Sequence, residues 1–365
     1  MNKSITDTIE KMRSLFALNK EPVLGIFKGK IVLCNNASIR FLGNDLENIS
    51  ASLIVPEHIL SEEASSFISS GMFRGKPAAA SITRFDELLI ISLTPAESEK
   101  KPAMFVPQSL VNSLRSSAAT MKIAADQILN RLDISFDSTL EKYTSMMYHS
   151  YFTMLRLTVN LETVNGISDG SLTHAPRIWD MVQLCSDLVS TISHMLKGSG
   201  LNISFVTKEH ELNAYVDIKR IEQLILNLIT NSLLHTSPGD TIVLSLKKAG
   251  ESIIISVDDT GSGIPPRILS TIFSRFDENI TLAELAEGSG LGLNIAKGIA
   301  EKHGGALMIE SREGSGTTVR VMFPANISEN HSLHSPPPPI DGMNDVLREL
   351  SVALSYEQYQ PEYLD

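Results

Sequence analysis

The amino-acid sequence predicts a multidomain α+β protein: a small mixed α/β module at the N-terminus, a long helical hairpin, and a C-terminal α/β sandwich. Three observations predict it. Between Glu21 and Pro95 short apolar runs alternate with turn residues. From Val111 to Leu161 apolar residues recur at steps of three and four. Beyond Ile178 helical and strand-like patterns alternate, with four boxes rich in glycine and amides set among them. A chain of 365 residues with 42% apolar content has material for two or three cores.

The first module reads as strands at Val23–Phe27, Ile31–Cys34 and Leu88–Leu93, punctuated by Gly29 and the Asn35-Asn36 pair. The polar stretch from Pro95 to Pro102, with Glu97, Glu99, Lys100 and Lys101, reads as a linker. The run Pro22-Val-Leu-Gly-Ile-Phe27, then Gly29-Lys-Ile-Val-Leu-Cys-Asn-Asn-Ala37, then Phe41-Leu-Gly43 resembles a PAS sensor domain. The boundaries that follow are 1–96 for the PAS-like module, 97–170 for the hairpin, 171–326 for the sandwich and 327–365 for a Pro-rich linker and tail.

In the first hairpin helix Val111, Leu114, Ala118, Met121, Ala125, Ile128 and Leu132 form a seam. In the second Leu140, Tyr143, Met147, Tyr151, Met154, Leu157 and Leu161 do the same, and Gly166 ends it. One such hairpin exposes an apolar stripe that a second copy covers, giving a homodimer built on a four-helix bundle. Packing of both stripes within one chain against the flanking domains is the alternative.

The C-terminal part reads as a helix at Trp179–Leu196, strands near Ile203 and Ala214, and a helix at Ile218–Leu234. Strands Ile242–Leu246 and Ile253–Val257 follow, joined near Gly250, then a helix at Leu291–Lys302 and strands near Leu307 and Val319. Helices on one face of a mixed sheet result. The Pro336–Pro339 run is a semi-rigid spacer. Past it Met343, Val346, Leu347, Leu350 and Leu354 share a helical face, suited to a partner or to the chain itself.

A formal charge of −11 argues against a nucleic-acid surface, which needs clustered Lys and Arg. Cys34 and Cys185 lie in apolar surroundings without metal-ligand spacing and read as buried thiols. The apolar run Leu88–Leu93 is far short of the roughly 20 residues of a membrane span. The polar start Met1-Asn-Lys-Ser4 lacks a secretory core, so a cytoplasmic protein without a membrane span is expected.

The boxes are Asn227-Leu-Ile-Thr-Asn231, Asp259-Thr-Gly261-Ser-Gly263, Gly288-Ser-Gly290-Leu291-Gly292 and Gly314-Ser-Gly316-Thr317. Asn227 and Asn231 lie one helical turn apart, so both amides leave the same face. An amide oxygen is a hard ligand suited to Mg²⁺; core hydrogen bonding is the plainer role of such a residue. Asp259 follows a strand and can accept from an adenine amino group, while Gly261 and Gly263 strip side chains where a flat ligand meets backbone. Read alone, the same run is an ordinary turn. Gly288, Gly290 and Gly292 lead into a helix whose free amides can face phosphates. The third glycine of a dinucleotide fingerprint is missing, and no Gly-Lys-Ser/Thr exists for a P-loop.

Together with Phe273 and Phe276, the four boxes resemble the ATP-binding domain of sensor histidine kinases of two-component systems. The resemblance implies ATP with Mg²⁺ as cofactors. Asn231 would hold the metal, Asp259 would read adenine, and Gly261 and Gly263 would shape the base pocket. Gly288, Gly290, Leu291 and Gly292 would border the phosphate lid, with Thr317 closing the adenine side. The hairpin, with Arg156-Leu157 and Asn160-Leu161, resembles the family's dimerisation and phosphotransfer bundle, implying a response-regulator or phosphotransfer protein as partner.

The sequence departs from the family at the acceptor. Asn112, in Val111-Asn-Ser-Leu-Arg-Ser-Ser117, stands where the phosphoacceptor His belongs, and an amide lacks the imidazole's nucleophilic nitrogen. Ser113 cannot serve as the neighbouring carboxylate base, and Ser117 replaces the family's proline. Among nine histidines only His149 lies in the hairpin, on the second helix. Leu234 takes a place where the family often has Lys, though His235 beside it fits; residues 277–287 are acidic without a Lys or Arg, and Arg275 is the nearest cation. Three functions compete: a sensor kinase, a catalytically impaired nucleotide-binding scaffold, and an ATP hydrolase of the gyrase or chaperone kind. Asn227 opposes the third, which needs a Glu there to activate water.

Overall fold

A computed structural model describes residues 21–44, 46–61, 66–85, 87–95, 108–129, 138–269, 291–325 and 342–359, with residues 9, 10, 12, 13 and 16. The chain forms two compact units. One takes residues up to Lys101 with 264–278 and 306–313, and the other takes the remainder.

In the first unit β1 (Val23–Phe27), β2 (Lys30–Cys34), β3 (Ser66–Phe73), β4 (Lys76–Phe85) and β5 (Leu88–Pro95) form an antiparallel sheet in the order β2-β1-β5-β4-β3. The β1–β2 and β3–β4 turns use Lys28-Gly29 and Arg74-Gly75, all four at positive φ, which matches strand twist in a two-residue hairpin. Asn35 explains the paired asparagines of the sequence. Its Oδ1 accepts the N–H groups of Ser38 at 2.9 Å and Val23 at 3.0 Å, capping α1 (Asn36–Leu42) and pinning it to β1. With the short α2 (Glu57–Ser61) these elements bury Leu24, Ile31, Ile59, Phe67, Ile82 and Ile91. β11 (Ala306–Arg312) pairs with β3 at Ile309–Ile68.

The second unit begins with the hairpin α3 (Gln108–Leu129) and α4 (Ser138–Ser168). Val111, Ala118 and Ala125 are buried at seven-residue intervals, as a seam requires. Arg115 ion-pairs with Glu162, and the Tyr148 hydroxyl donates to Asp126, tying the helices together. Of the α4 stripe Tyr143 and Met147 are 58% and 41% exposed and Leu161 is buried, while Tyr148 and Phe152, outside the stripe, are buried within the chain. Polar residues share the buried face because their hydroxyls donate to their own helix: Thr144 to Leu140 O at 3.0 Å, Thr158 to Leu155 O at 2.7 Å and Thr163 to Val159 O at 2.9 Å. The helix also continues past Gly166 to Ser168; a Cβ on Gly166 would lie 3.0 Å from the returning backbone of Leu172.

β6 (Arg177–Asp180) pairs with β8 (Asn213–Val216), so Trp179 lies in a strand and not in the predicted helix. Asp180 is the reason: its Oδ1 accepts from Val182 N at 2.9 Å and Leu212 N at 3.1 Å, starting α5 (Met181–Met195) after itself. β7 (Asn202–Thr207), β9 (Thr241–Ala249), β10 (Ser252–Asp259) and β12 (Gly316–Pro324) lie side by side in that order, with β7 parallel to β9 and the rest antiparallel. Ile242, Leu244, Ile253, Ile255, Val319 and Val321 alternate onto one buried face, covered by α5, α6 (Ile218–Leu234) and α8 (Leu291–Lys302). Past β12, α9 (Gly342–Glu349) folds back on its own chain, burying Val346, Leu347 and Leu350. Burial pushes the Cys185 thiol up to about 12, as expected of an inert core cysteine. No helix among the described residues is long and apolar enough to cross a membrane.

His303 joins α8 to the start of α6. Its Nδ1–H donates to Ile299 O at 2.8 Å and its Nε2 accepts the Asp217 N–H at 3.1 Å, so the ring must be neutral. Burial lowers its pKa below the ordinary 6.5. A depressed folded pKa means the contact's stabilisation is whole above pH 6.5 and fades as pH falls below it. Chemical denaturation at pH 7.5 and 5.5 should therefore show lower stability at the acid end, and His303→Gln should shrink that slope.

Candidate functional site

Helix α6 presents one edge of the site. Asn227 is 1% exposed; its Nδ2 donates to Gln223 O at 2.8 Å, while its Oδ1 finds no hydrogen-bond partner among the described residues. A buried acceptor left so costs about 1–3 kcal/mol. That oxygen lies 3.1 Å from where a Cβ on Gly292 would stand, so the first turn of α8, opened by the buried Leu291, passes close to the amide because Gly292 has no side chain. Asn231, one turn on, is half-buried. Leu234 is exposed, and His235 caps the helix end.

Asp259 ends β10 and is held from three directions. Its Oδ2 accepts from the Ser232 hydroxyl at 3.0 Å; its Oδ1 accepts the N–H groups of Gly261 at 3.1 Å and Thr317 at 3.2 Å. Burial raises the pKa of this carboxyl, while the Ser232, Gly261 and Thr317 donors and His235 act to lower it. The turn beyond Asp259 crosses the end of α6: Ser262 N–H donates to His235 O at 3.1 Å, and a Cβ on Gly261 would lie 2.2 Å from that same oxygen. Gly263 has φ +64°, and the Gly314 N–H donates to Ser262 O at 2.7 Å, locking the second box to the fourth. Thr317, buried, lies opposite Asp259 in the β10–β12 register.

Asn227, Asn231, His235, Asp259, Gly261, Gly263, Leu291, Gly292 and Thr317 thus fall on elements that meet at the ends of α6 and β10. Gly288 and Gly290, with Phe273, Arg275, Phe276 and the acidic run 277–287, lie outside the described residues. Asn112 is an exposed residue of α3. His149 Nε2 donates to Ser351 O at 2.8 Å, which commits the one hairpin histidine to a backbone carbonyl. Sequence reasoning missed Ser232, although a small hydroxyl residue directly after Asn231 was a usable signal.

Gly316 is the tightest point. At φ +101°, a Cβ there would lie 1.9 Å from Asp259 O, so clash and backbone strain add. Gly316→Ala is expected to cost at least about 2 kcal/mol, measured by urea denaturation.

Comparison with known proteins bears on this arrangement. Residues 216–327 match the family described as histidine kinase-, DNA gyrase B-, and HSP90-like ATPase. The chain is 32% identical over 149 residues to histidine kinase P4 of Formosa agariphila, covering 40% of this chain and 11% of that protein. It is 36% identical over 126 residues to sensor protein SrrB of Staphylococcus aureus, covering 34% of this chain and 21% of that protein. The chain therefore spans only a small part of the length of these curated relatives. Among solved structures, the catalytic domain of histidine kinase ThkA is 25% identical and covers 41% of this chain and 96% of its own, with a TM-score of 0.36. Residues 216–327 of this chain are accordingly similar to the histidine kinase-, DNA gyrase B-, and HSP90-like ATPases, and the curated relatives that match are a histidine kinase and a sensor protein.

Proposed function

We propose that this chain is a two-component sensor histidine kinase-type protein that binds ATP with Mg²⁺ and works as a homodimer with a response-regulator or phosphotransfer partner. The observation that carries the proposal is the Asp259 carboxylate, fixed by Ser232, Gly261 and Thr317 beside backbone cleared of side chains. Three donors occupy part of its acceptor capacity and leave lone pairs for an adenine amino group. The unpartnered Oδ1 of Asn227 and the half-buried amide of Asn231 supply hard oxygens on one helix face, the donor set that suits a magnesium ion carried with phosphates. Asn231 would hold the ion and Asn227 would stand behind it; Mg²⁺ bound there would neutralise phosphate charge. Asn227 cannot take a proton from water, which opposes hydrolysis as the main outcome.

The antiparallel order β2-β1-β5-β4-β3, with α1 and α2 between β2 and β3, supports reading the N-terminal unit as a PAS-like sensor. Leu110, Met121, Ile123, Tyr143, Met146 and Met147 are all more than 40% exposed on the hairpin and support a dimer through a four-helix bundle. A second reading, a nucleotide-binding scaffold without transfer, is favoured by Asn112 at the acceptor position and by the engaged ring of His149.

In a calorimetric titration with Mg-ATP, Asp259→Ala is expected to weaken binding at least about tenfold, the loss of one hydrogen bond to a charged group; unchanged affinity would remove the adenine role. With γ-labelled ATP, acid-labile label on the chain or on an added partner supports transfer, and its absence with binding retained supports the scaffold. Asn112→His gaining label would place the defect at the acceptor alone. Light scattering should report a dimer that Ile123→Glu with Met147→Glu converts to monomer.

A further inference from the structure

The segment from α9 to Tyr359 is buried although it lies beyond the matched ATPase residues. It touches α4 of the hairpin and, beyond the hairpin, both α5 and α6, the latter being the helix of Asn227 and Asn231. On the α4 side, Ser351 O takes the His149 N–H, and Tyr359, fully buried, meets the rings of His149 at 5.1 Å and Phe152 at 5.7 Å. The Tyr359 hydroxyl then donates back to Leu347 O at 2.9 Å, closing the segment into a loop against α4. On the α6 side, the Thr230 hydroxyl, immediately before Asn231, is shared between Leu226 O at 2.7 Å and Glu349 O at 3.1 Å. Glu349 spans both: its backbone meets α6, and its carboxylate meets Arg156 of α4.

The contact is well packed in its apolar part and poorly satisfied in its polar part. Arg156 and Glu349 have side chains 6% and 0% exposed; Glu349 Oε1 accepts from Arg348 at 3.1 Å, but Oε2 stands 3.6 Å from Arg156 Nε and these two atoms lack hydrogen-bond partners. A buried ion pair offsets its desolvation only with good geometry, so this one adds little net stability, whereas removing the Glu349 charge leaves Arg156 buried without its counter-ion and weakens the contact. Nearby on α6, burial pushes the Glu222 carboxyl up to about 7; Asp345 and Glu349 push the same way, while Arg348 and Lys219 oppose them. An interface whose apolar anchors are offset by buried polar atoms without hydrogen-bond partners is suited to letting go.

We propose that residues 342–359 form a releasable intramolecular strap that ties the amide-bearing helix α6 to hairpin helix α4, holding the nucleotide pocket at one placement relative to α3. The inference rests on the reading of α6 as the nucleotide helix. α4 also meets α6 directly, where Gln223 Nε2 donates to Thr163 Oγ1 at 3.1 Å, and packs on α8; with the strap released, only these contacts near the C-terminal end of α4 are left to set the separation between hairpin and pocket.

Hydrogen–deuterium exchange on the full chain, without nucleotide, tests the strap, with Leu350→Glu and the milder Glu349→Gln as variants. In Leu350→Glu the amides of 149–156 and 222–230 are expected to exchange at least tenfold faster while β9 and β10 keep wild-type protection; Glu349→Gln should give a smaller rise in the same two segments. Wild-type protection of 222–230 in Leu350→Glu overturns the strap, whether 343–359 exchanges freely or stays protected. If β9 and β10 also lose protection, Glu349→Gln decides, and no acceleration there overturns it. The Mg-ATP titration on Asp259→Ala fails or succeeds separately, so loss of the nucleotide reading is distinguishable from loss of the strap.

Discussion

The site depends on two backbones passing one another with no room between them. The carbonyl of Asp259 lies where the side chain of residue 316 would have to be, and the carbonyl of His235 lies where the side chain of residue 261 would have to be. With glycine at both positions, the end of β10 closes against β12 on one side and against the end of α6 on the other, and the Asp259 carboxylate collects three donors from those elements. Any larger residue at either place separates the strands, and the donors then leave the carboxylate. The alternating apolar face beneath makes this closure rigid, since Val257, Val319 and Ile255 all sit in the core.

Much of this was legible in the sequence because it depends on local rules. The helix Ile218–Leu234 matches its expected span, since Asp217 caps the start and polar His235 and Thr236 follow its end. The β9–β10 hairpin was legible from apolar alternation with Gly250 between, and that glycine takes positive φ. Asp259, Gly261 and Thr317 stood out because a carboxylate flanked by glycines after an apolar strand is unusual for a plain core strand. The parts that were not legible depend on tertiary partners. Trp179 reads as helical until β8 arrives to pair with its strand. Ser232 reads as one more small helical residue until Asp259 comes to rest 3.0 Å from it.

The hairpin shows a different limit of pattern reading. On α3 the small residues Ala118 and Ala125 mark the seam correctly. On α4 aromatic and sulfur side chains lie all round the helix, so hydropathy picked Tyr143 and Met147, whereas packing picked Tyr148 and Phe152. Arg156 is a sharper case. An arginine is almost never fully buried unless paired, and its partner here is the carboxylate of Glu349, 193 positions later in the chain.

The self-bonded hydroxyls of α4 have a mechanical consequence. Thr144, Thr153 and Thr158 each satisfy their polar atom on a carbonyl three or four residues back, so none of them depends for that bond on a neighbouring helix. Axial rotation or a piston shift of α4 past its neighbours would carry those bonds along unbroken. What holds α4 in place is instead the short set of pairs Arg115–Glu162, Tyr148–Asp126, His149–Ser351 and Gln223–Thr163, so any such shift is gated by those few contacts and not by the self-bonded hydroxyls.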